Sequence, residues 1–121
     1  MIGCSLKTLP VLVIDCQTTG NSPEKSHLLE IGWLPFRPTR RFDKRTLSPK
    51  TLIIRQPEGT VLPPRIQKLT GIREDHLVNA VKPKAAWQLL KETARQVATA
   101  SGLPCCPAVI HYARFELPFL E

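Results

Sequence analysis

The sequence predicts a single α/β domain, and three observations carry that prediction. Residues 11–14 (Val-Leu-Val-Ile) are apolar, mostly β-branched, and run straight into Asp15, the pattern of a central strand buried on both faces. Two further apolar runs, 28–36 and 51–54, are bounded by turn-forming residues and read as a second and a third strand. A single long helical periodicity, over about residues 84–100, precedes a fourth short apolar run, Ala108-Val109-Ile110.

Length and composition agree with one folded unit. At 121 residues the chain holds one domain with one core. Its 42% hydrophobic and 22% charged content is that of an ordinary globular protein and argues against disorder. A net charge of +7 and a pI near 9.6 favour a polyanionic partner such as nucleic acid. Twelve prolines predict broken connections and few long regular elements. Cys4, Cys16, Cys105 and Cys106 show no C-x-x-C spacing, so neither a zinc site nor a disulfide framework is expected. Reduced, mostly buried thiols in a cytoplasmic protein are the reading. The N-terminal apolar run is short and interrupted by Asp15, which predicts neither a membrane span nor a signal peptide.

The first strand places Asp15 and Gln17 two positions apart, hence on one side. A carboxylate at the end of a buried strand needs a partner, because burying an unpaired charge costs several kcal/mol. A divalent cation is one such partner; an Asx-turn or a cap on the following turn is the other reading. Residues 21–26 carry turn chemistry, and the second strand is expected to end or bulge near Pro35, with Glu30 facing solvent or the same polar site as Asp15. Residues 37–50 hold Arg37, Arg40, Arg41, Lys44, Arg45 and Lys50 against Asp43 alone. This reads as a hairpin loop, either a solvated tip or a patch that tracks phosphates. Residues 63–72 predict one or two helical turns stopped by Gly71, and 73–79 another short turn. In the long helix Ala86, Leu89, Leu90, Ala94, Val97 and Ala98 form the core stripe, and Gly102 stops it. Residues 108–110 read as a buried strand that turns into a helix over 111–120.

Three blocks of the chain resemble the motifs of a known family. Val13-Ile14-Asp15-Cys16-Gln17-Thr18-Thr19-Gly20, with Leu29-Glu30-Ile31-Gly32 after it, resembles a first motif of the form Asp-x-Glu-Thr-Thr-Gly. Ile66-Gln67-Lys68-Leu69-Thr70-Gly71-Ile72 resembles the linker signature ahead of the long helix. Val109-Ile110-His111-Tyr112-Ala113-Arg114-Phe115-Glu116 resembles a second motif that usually ends His-Asn-x-x-Phe-Asp. Together they resemble the N-terminal two-thirds of a DnaQ-like 3′–5′ exonuclease domain of the DEDD superfamily.

The resemblance implies a ribonuclease-H-like mixed sheet flanked by helices, with residues 1–121 a single exonuclease-like domain lacking the C-terminal third of the family fold. It implies 3′–5′ hydrolysis of nucleic acid with two Mg²⁺ or Mn²⁺ ions, roughly 4 Å apart, that activate water and stabilise the leaving oxygen. Asp15, Gln17 and Glu116 stand at catalytic positions, Asp15 and Glu116 at metal-binding ones. Thr18 and Thr19 match residues that contact the terminal nucleotide, with plain turn formation as the other reading.

Four departures weaken the implied site. Gln17 replaces a Glu and removes a charge. Glu116 replaces an Asp, and a carboxylate displaced by about 1 Å can cost around 10²-fold in rate. Tyr112 replaces an Asn, and the third motif, with its general base and fourth carboxylate, would lie past Glu121. His111 belongs to the second motif and is not expected to act as that base. The expected function is therefore an exonuclease-type domain acting on single-stranded nucleic acid, inactive or incomplete in this chain. The alternatives are a non-catalytic module that binds nucleic acid or a polymerase, and a purely structural domain of a larger assembly.

Overall fold

The computed structural model describes residues 9–20, 25–36, 49–110 and 119. In chain order they form β1 (Val11–Thr18), β2 (Leu28–Phe36), β3 (Lys50–Ile53), α1 (Pro64–Thr70), a 3₁₀ turn (Glu74–Asn79), α2 (Pro83–Ala100) and β4 (Ala108–Ile110). The strands make one sheet in the order β3-β2-β1-β4. β2 lies antiparallel to both β1 and β3, and β4 lies parallel to β1. Parallel neighbours cannot be joined by a tight hairpin; here the path to β4 runs through α2. The predicted order of three strands, a helix and a fourth strand is thus observed, as a mixed sheet with helices.

The central strand differs from the prediction in how it is buried. Leu12 and Ile14 are only 2% and 7% exposed, whereas Val11 and Val13 are half-buried and Asp15 is exposed. Burial alternates because Leu12 and Ile14 pack with Ile31, Trp33 and Ile54 against Ala86 and Leu90 of α2, while Val13, Asp15 and Gln17 point the other way. Nor does the strand end at Asp15; it continues to Thr18. Trp33 is anchored beyond its packing, donating its indole N–H to the Thr93 hydroxyl of α2 at 3.2 Å.

The irregularity expected near Pro35 lies elsewhere. Pro35 sits inside β2, opposite Leu12. Leu12 sends its N–H outward to Pro107 at 2.9 Å, so the pair is of the non-hydrogen-bonded kind. The missing proline N–H therefore faces the far side of β2, where β3 pairs only with residues 30–33. The bulge is at Leu29: Gln17 pairs with Glu30 but Thr18 pairs with Leu28, so Leu29 is the extra residue. It joins a second cluster with Leu62 and Ile72, against which Ile53, Ile66 and Leu77 pack.

The helical predictions hold closely. α1 opens on Pro64 and stops at Gly71, whose φ of 75° is the left-handed conformation glycine adopts freely; its N–H donates to the Gln67 carbonyl. The loop before α1 is tied down by Glu74, whose carboxylate accepts the Leu62 N–H at 2.6 Å. In α2 Ala86, Leu90 and Ala98 are buried and Ala94 and Val97 half-buried, but Leu89 is 44% exposed, at the margin of the stripe rather than in it. Among the described residues β4 lies at an edge of the sheet rather than buried: Val109 is 51% exposed and only Ile110 leans on the core.

Among the cysteines, Cys16 and Cys106 are half-buried but Cys105 is exposed, against the expectation of mostly buried thiols. Cys4, the basic residues 37–48 and the segment 111–118 lie outside the described residues, apart from which Lys50 opens β3. No helix among the described residues is long and apolar enough to cross a membrane.

Candidate functional site

The polar face of the sheet begins with register. Val13 pairs with Leu34, Asp15 with Gly32 and Gln17 with Glu30. Residues directly opposite share a face, so Asp15, Gln17 and Glu30 project together from the side that α2 does not cover. Gly32 supplies no side chain, and its neighbour across β3 is Thr51. A Cβ there would meet the Lys50 carbonyl at 3.5 Å and the Thr51 hydroxyl at 3.6 Å, ordinary contacts, so no clash requires the glycine. Its effect is to leave open a groove of about 230 Å³ lined by Asp15, Gln17, Glu30, Lys50 and Thr51.

Within this groove the two strands are joined by side chains as well as by the ladder. The Gln17 amide donates from Nε2 to Glu30 Oε1 at 3.0 Å, with both side chains half-buried. Asp15 is exposed, and its carboxylate has no hydrogen-bond or ion-pair partner among the described residues. Exposure removes the desolvation argument that a partner is obligatory. The Asx-turn reading also lapses, because Asp15 lies within a strand and makes no such bond.

Beyond Gln17 the chain turns. The Thr18 hydroxyl donates to the Gly20 carbonyl at 2.7 Å, and the Thr19 hydroxyl accepts the His27 N–H at 2.8 Å. Thr19 N–H donates to the His27 carbonyl at 2.9 Å, closing the turn onto the entry of β2. A Cβ on Gly20 would meet the Ser26 hydroxyl, so a larger residue there would require the Ser26 side chain to rotate away. Turn formation accounts for one bond of each threonine. The Thr19 hydroxyl hydrogen and the Thr18 oxygen lone pairs remain for another partner. A second groove, of about 480 Å³, runs between residues 16–20 and α1, where it is lined by Arg65, Ile66, Leu69 and Thr70. Leu69 is 71% exposed there.

The structure therefore brings Asp15, Gln17, Thr18 and Thr19 into one continuous run beside two grooves. Glu116, His111 and Tyr112 lie outside the described residues. Glu30 takes the polar face, one of the two placements expected for it, and the register decides between them. One residue of the site is not signalled by the sequence. Arg65 looks like any helix-surface arginine until α1 is seen beside the Thr18–Gly20 turn. The donors on the polar face are oxygens, as Mg²⁺ or Mn²⁺ prefer. Among the described residues, however, no three His, Cys, Asp or Glu side chains gather as a metal-binding group.

Comparison with known proteins bears on this geometry. The family model described as Exonuclease (RNase_T) matches residues 12–111. No curated protein matches the chain by sequence. Several solved structures share its fold. The nuclease domain of 3′hExo, a DEDDh family member bound to rAMP, aligns at a TM-score of 0.64 and 19% identity, over 96% of this chain and 58% of that one. Exonuclease I from Methylocaldum szegediense aligns at 0.67 and 14%, over 92% and 22%. Exonuclease I of E. coli in complex with a dT13 oligonucleotide aligns at 0.61 and 13%, over 93% and 22%. The chain thus spans between about a fifth and three-fifths of the length of these proteins. At such identities the likeness is one of fold, and that fold is the ribonuclease-H-like mixed sheet found above.

Proposed function

The chain belongs to the RNase T exonuclease family, and from that premise we propose that it is a 3′–5′ exonuclease-type domain that binds single-stranded nucleic acid and hydrolyses it little or not at all. The observation that carries this reading is the polar face itself. An exposed Asp15, without a partner among the described residues, stands opposite the gap at Gly32, while the neighbouring position offers only the neutral amide of Gln17.

The donor set suits Mg²⁺ or Mn²⁺ in kind but is poor in charge. Asp15 would hold such an ion directly and Gln17 through Oε1, with Glu116 as the second carboxylate. When bound, the ion supplies a more acidic water and charge stabilisation for the leaving oxygen. The chain's own residues do the binding and orienting. Thr18 and Thr19 offer hydroxyl and main-chain groups to a terminal nucleotide in the groove beside α1. There Arg65 faces the phosphate and exposed Leu69 the sugar or base. The dT13 and rAMP ligands of the two similar folds support an oligonucleotide end as the occupant. The net charge of +7 favours it further.

On this reading residues 1–121 act as one exonuclease-like domain in the cytoplasm, supplying the first two motifs of the family site. A second reading, a non-catalytic module that docks nucleic acid or a polymerase, is favoured by the Gln17–Glu30 bond, which turns a metal-ligand position into a structural link.

Fluorescence anisotropy of a labelled single strand, combined with a 3′-end digestion assay in Mg²⁺ and Mn²⁺, tests these readings together. Binding that weakens steeply with salt, with a log–log slope of about −2 to −4 from a few phosphate contacts, and no shortening of the strand is the expected result. Shortening abolished by Asp15→Ala would establish a competent nuclease. Absence of binding at low salt would leave a structural domain.

A further inference from the structure

On the α2 side of the sheet the cover is incomplete at one end. Where β2 begins and β3 has just ended, a cavity of about 780 Å³ lies against the first turns of α2. None of the residues lining it borders either groove on the polar face. Its floor is apolar, made by Ile31, Ile54 and Ala86 of the main core. Trp87, Arg55 and Lys84 also line it, and no lining residue is acidic. Its volume falls in the range of small-molecule sites.

The frame of this cavity is fixed by hydrogen bonds. Gln56 Nε2 donates to the Leu28 carbonyl at 3.0 Å and to the Ile54 carbonyl at 2.8 Å. The Arg55 N–H donates to the Val81 carbonyl at 2.8 Å, and the Val81 N–H donates to the Ile53 carbonyl at 2.8 Å. These bonds tie β2, β3 and the approach to α2 together.

Trp87 is 41% exposed, in contrast to buried Trp33. Lys84, Trp87 and Lys91 stand three and four residues apart, hence on one face of α2. The Lys91 ammonium lies 6.0 Å from the centre of the Trp87 ring, a contact that steadies the indole. Arg55 and Lys84 make no ion pair among the described residues, whereas Arg95 of the same helix pairs with Glu92. An exposed aromatic plane flanked by cations, beside an apolar hollow without acids, suits a base and its neighbouring phosphates. An acidic peptide would answer the cations but leave the indole and the hollow unfilled.

We infer that this cavity takes a base of single-stranded nucleic acid, stacked on Trp87, with the adjoining phosphates on Arg55, Lys84 and Lys91. The site goes beyond the strand-end reading of the polar face and does not depend on it.

Tryptophan fluorescence of the 121-residue chain tests this, because Trp87 is accessible and Trp33, at 4% exposure, is not. A short oligo-dT strand at low salt should quench the emission, and Trp87→Phe, which leaves only Trp33, should show no quenching. Lys84→Ala should move the quenching midpoint to roughly fivefold higher strand concentration and lower the log–log salt slope by about one. A strand of abasic sites with the same phosphates should not quench. Quenching by the abasic strand as strong as by oligo-dT would reduce the contact to charge and overturn the base site. Equal quenching by an oligo-glutamate peptide would assign the cavity to an acidic protein segment instead. Quenching that survives in Trp87→Phe, or none by oligo-dT in the natural chain, would overturn the inference outright. Because the readout is Trp87 alone, its failure is distinct from failure of strand binding at the polar face.

Discussion

The two faces of the β1–β2 pair are built from alternate residues of the same strands, yet they do opposite work. On one, Leu12, Ile14, Ile31 and Trp33 pack with α2 into the main core. On the other, Asp15, Gln17 and Glu30 surround a gap left by Gly32. The first face is closed and apolar, and its residues have no freedom to change size. The second is open and polar, so a substitution there changes charge and hydrogen bonding more than packing. A strand's two-residue period lets one short segment provide both without compromise. The lesson is that stability and chemistry here are separated by a half-turn of side-chain direction rather than by distance along the chain.

The sharpest way to break this comparison is to damage the closed face. Trp33 is 4% exposed and hydrogen-bonded to Thr93. Trp33→Ala should destabilise the fold by about 3–5 kcal/mol, read as a lower midpoint in urea denaturation. A loss below about 1 kcal/mol would mean that α2 does not close this face as described.

On the open face, Asp15→Ala should do the reverse. Its stability should stay within about 0.5 kcal/mol of the natural chain, because an exposed carboxylate without a partner contributes little. Paramagnetic broadening by Mn²⁺ at residues 15–17 should disappear. A large fall in stability with cation binding intact would invert the assignment of the two faces.

A third substitution sharpens the contrast within the open face. Gln17→Glu should cost about 1–2 kcal/mol at neutral pH by setting two carboxylates against each other. The sign follows from linkage. A proton shared by the pair favours the folded state, which then binds more protons than the unfolded one, so stability falls as pH rises through the carboxylate range. Added Mn²⁺ should restore it. Thermal melts of the variant at acid and neutral pH, with and without Mn²⁺, read this directly. A variant as stable as the natural chain throughout would show that the two groups are free to separate.

The smallest expected effect lies at the margin of the closed face. Burial, followed by the neighbouring Cys105, raises the Cys106 thiol above its ordinary value of 9.0, partly offset by a hydrogen bond from the Leu12 backbone. A thiol held neutral in the fold contributes stability that is complete below the ordinary value and is lost as pH rises through the folded one. A slight weakening above pH 9 should accompany slower alkylation of Cys106 than of exposed Cys105. Peptide mapping after brief iodoacetamide treatment checks the order. Equal rates would place Cys106 outside the core.

By itself the sequence determined the elements and the position of Asp15 among them. The apolar run at 11–14, the stripe of α2 and the stop at Gly71 are local signals, set by period and by glycine's tolerance of positive φ, and no distant contact overrides them. The resemblance of the 13–20 block to a nuclease motif was legible for the same reason, since a motif is contiguous. What only the tertiary structure decided is non-local. Whether β1 is covered on one face or two depends on where α2 lands. That β4 is an exposed edge among the described residues depends on which strands pair with it there. The unbroken register from Val13↔Leu34 to Gln17↔Glu30 settles which side of the sheet Glu30 occupies, and a one-residue slip would send its side chain to the opposite face. The bond between Gln17 and Glu30 joins residues 13 apart in the chain, and only the register of two strands, a property neither has alone, brings amide and carboxylate together.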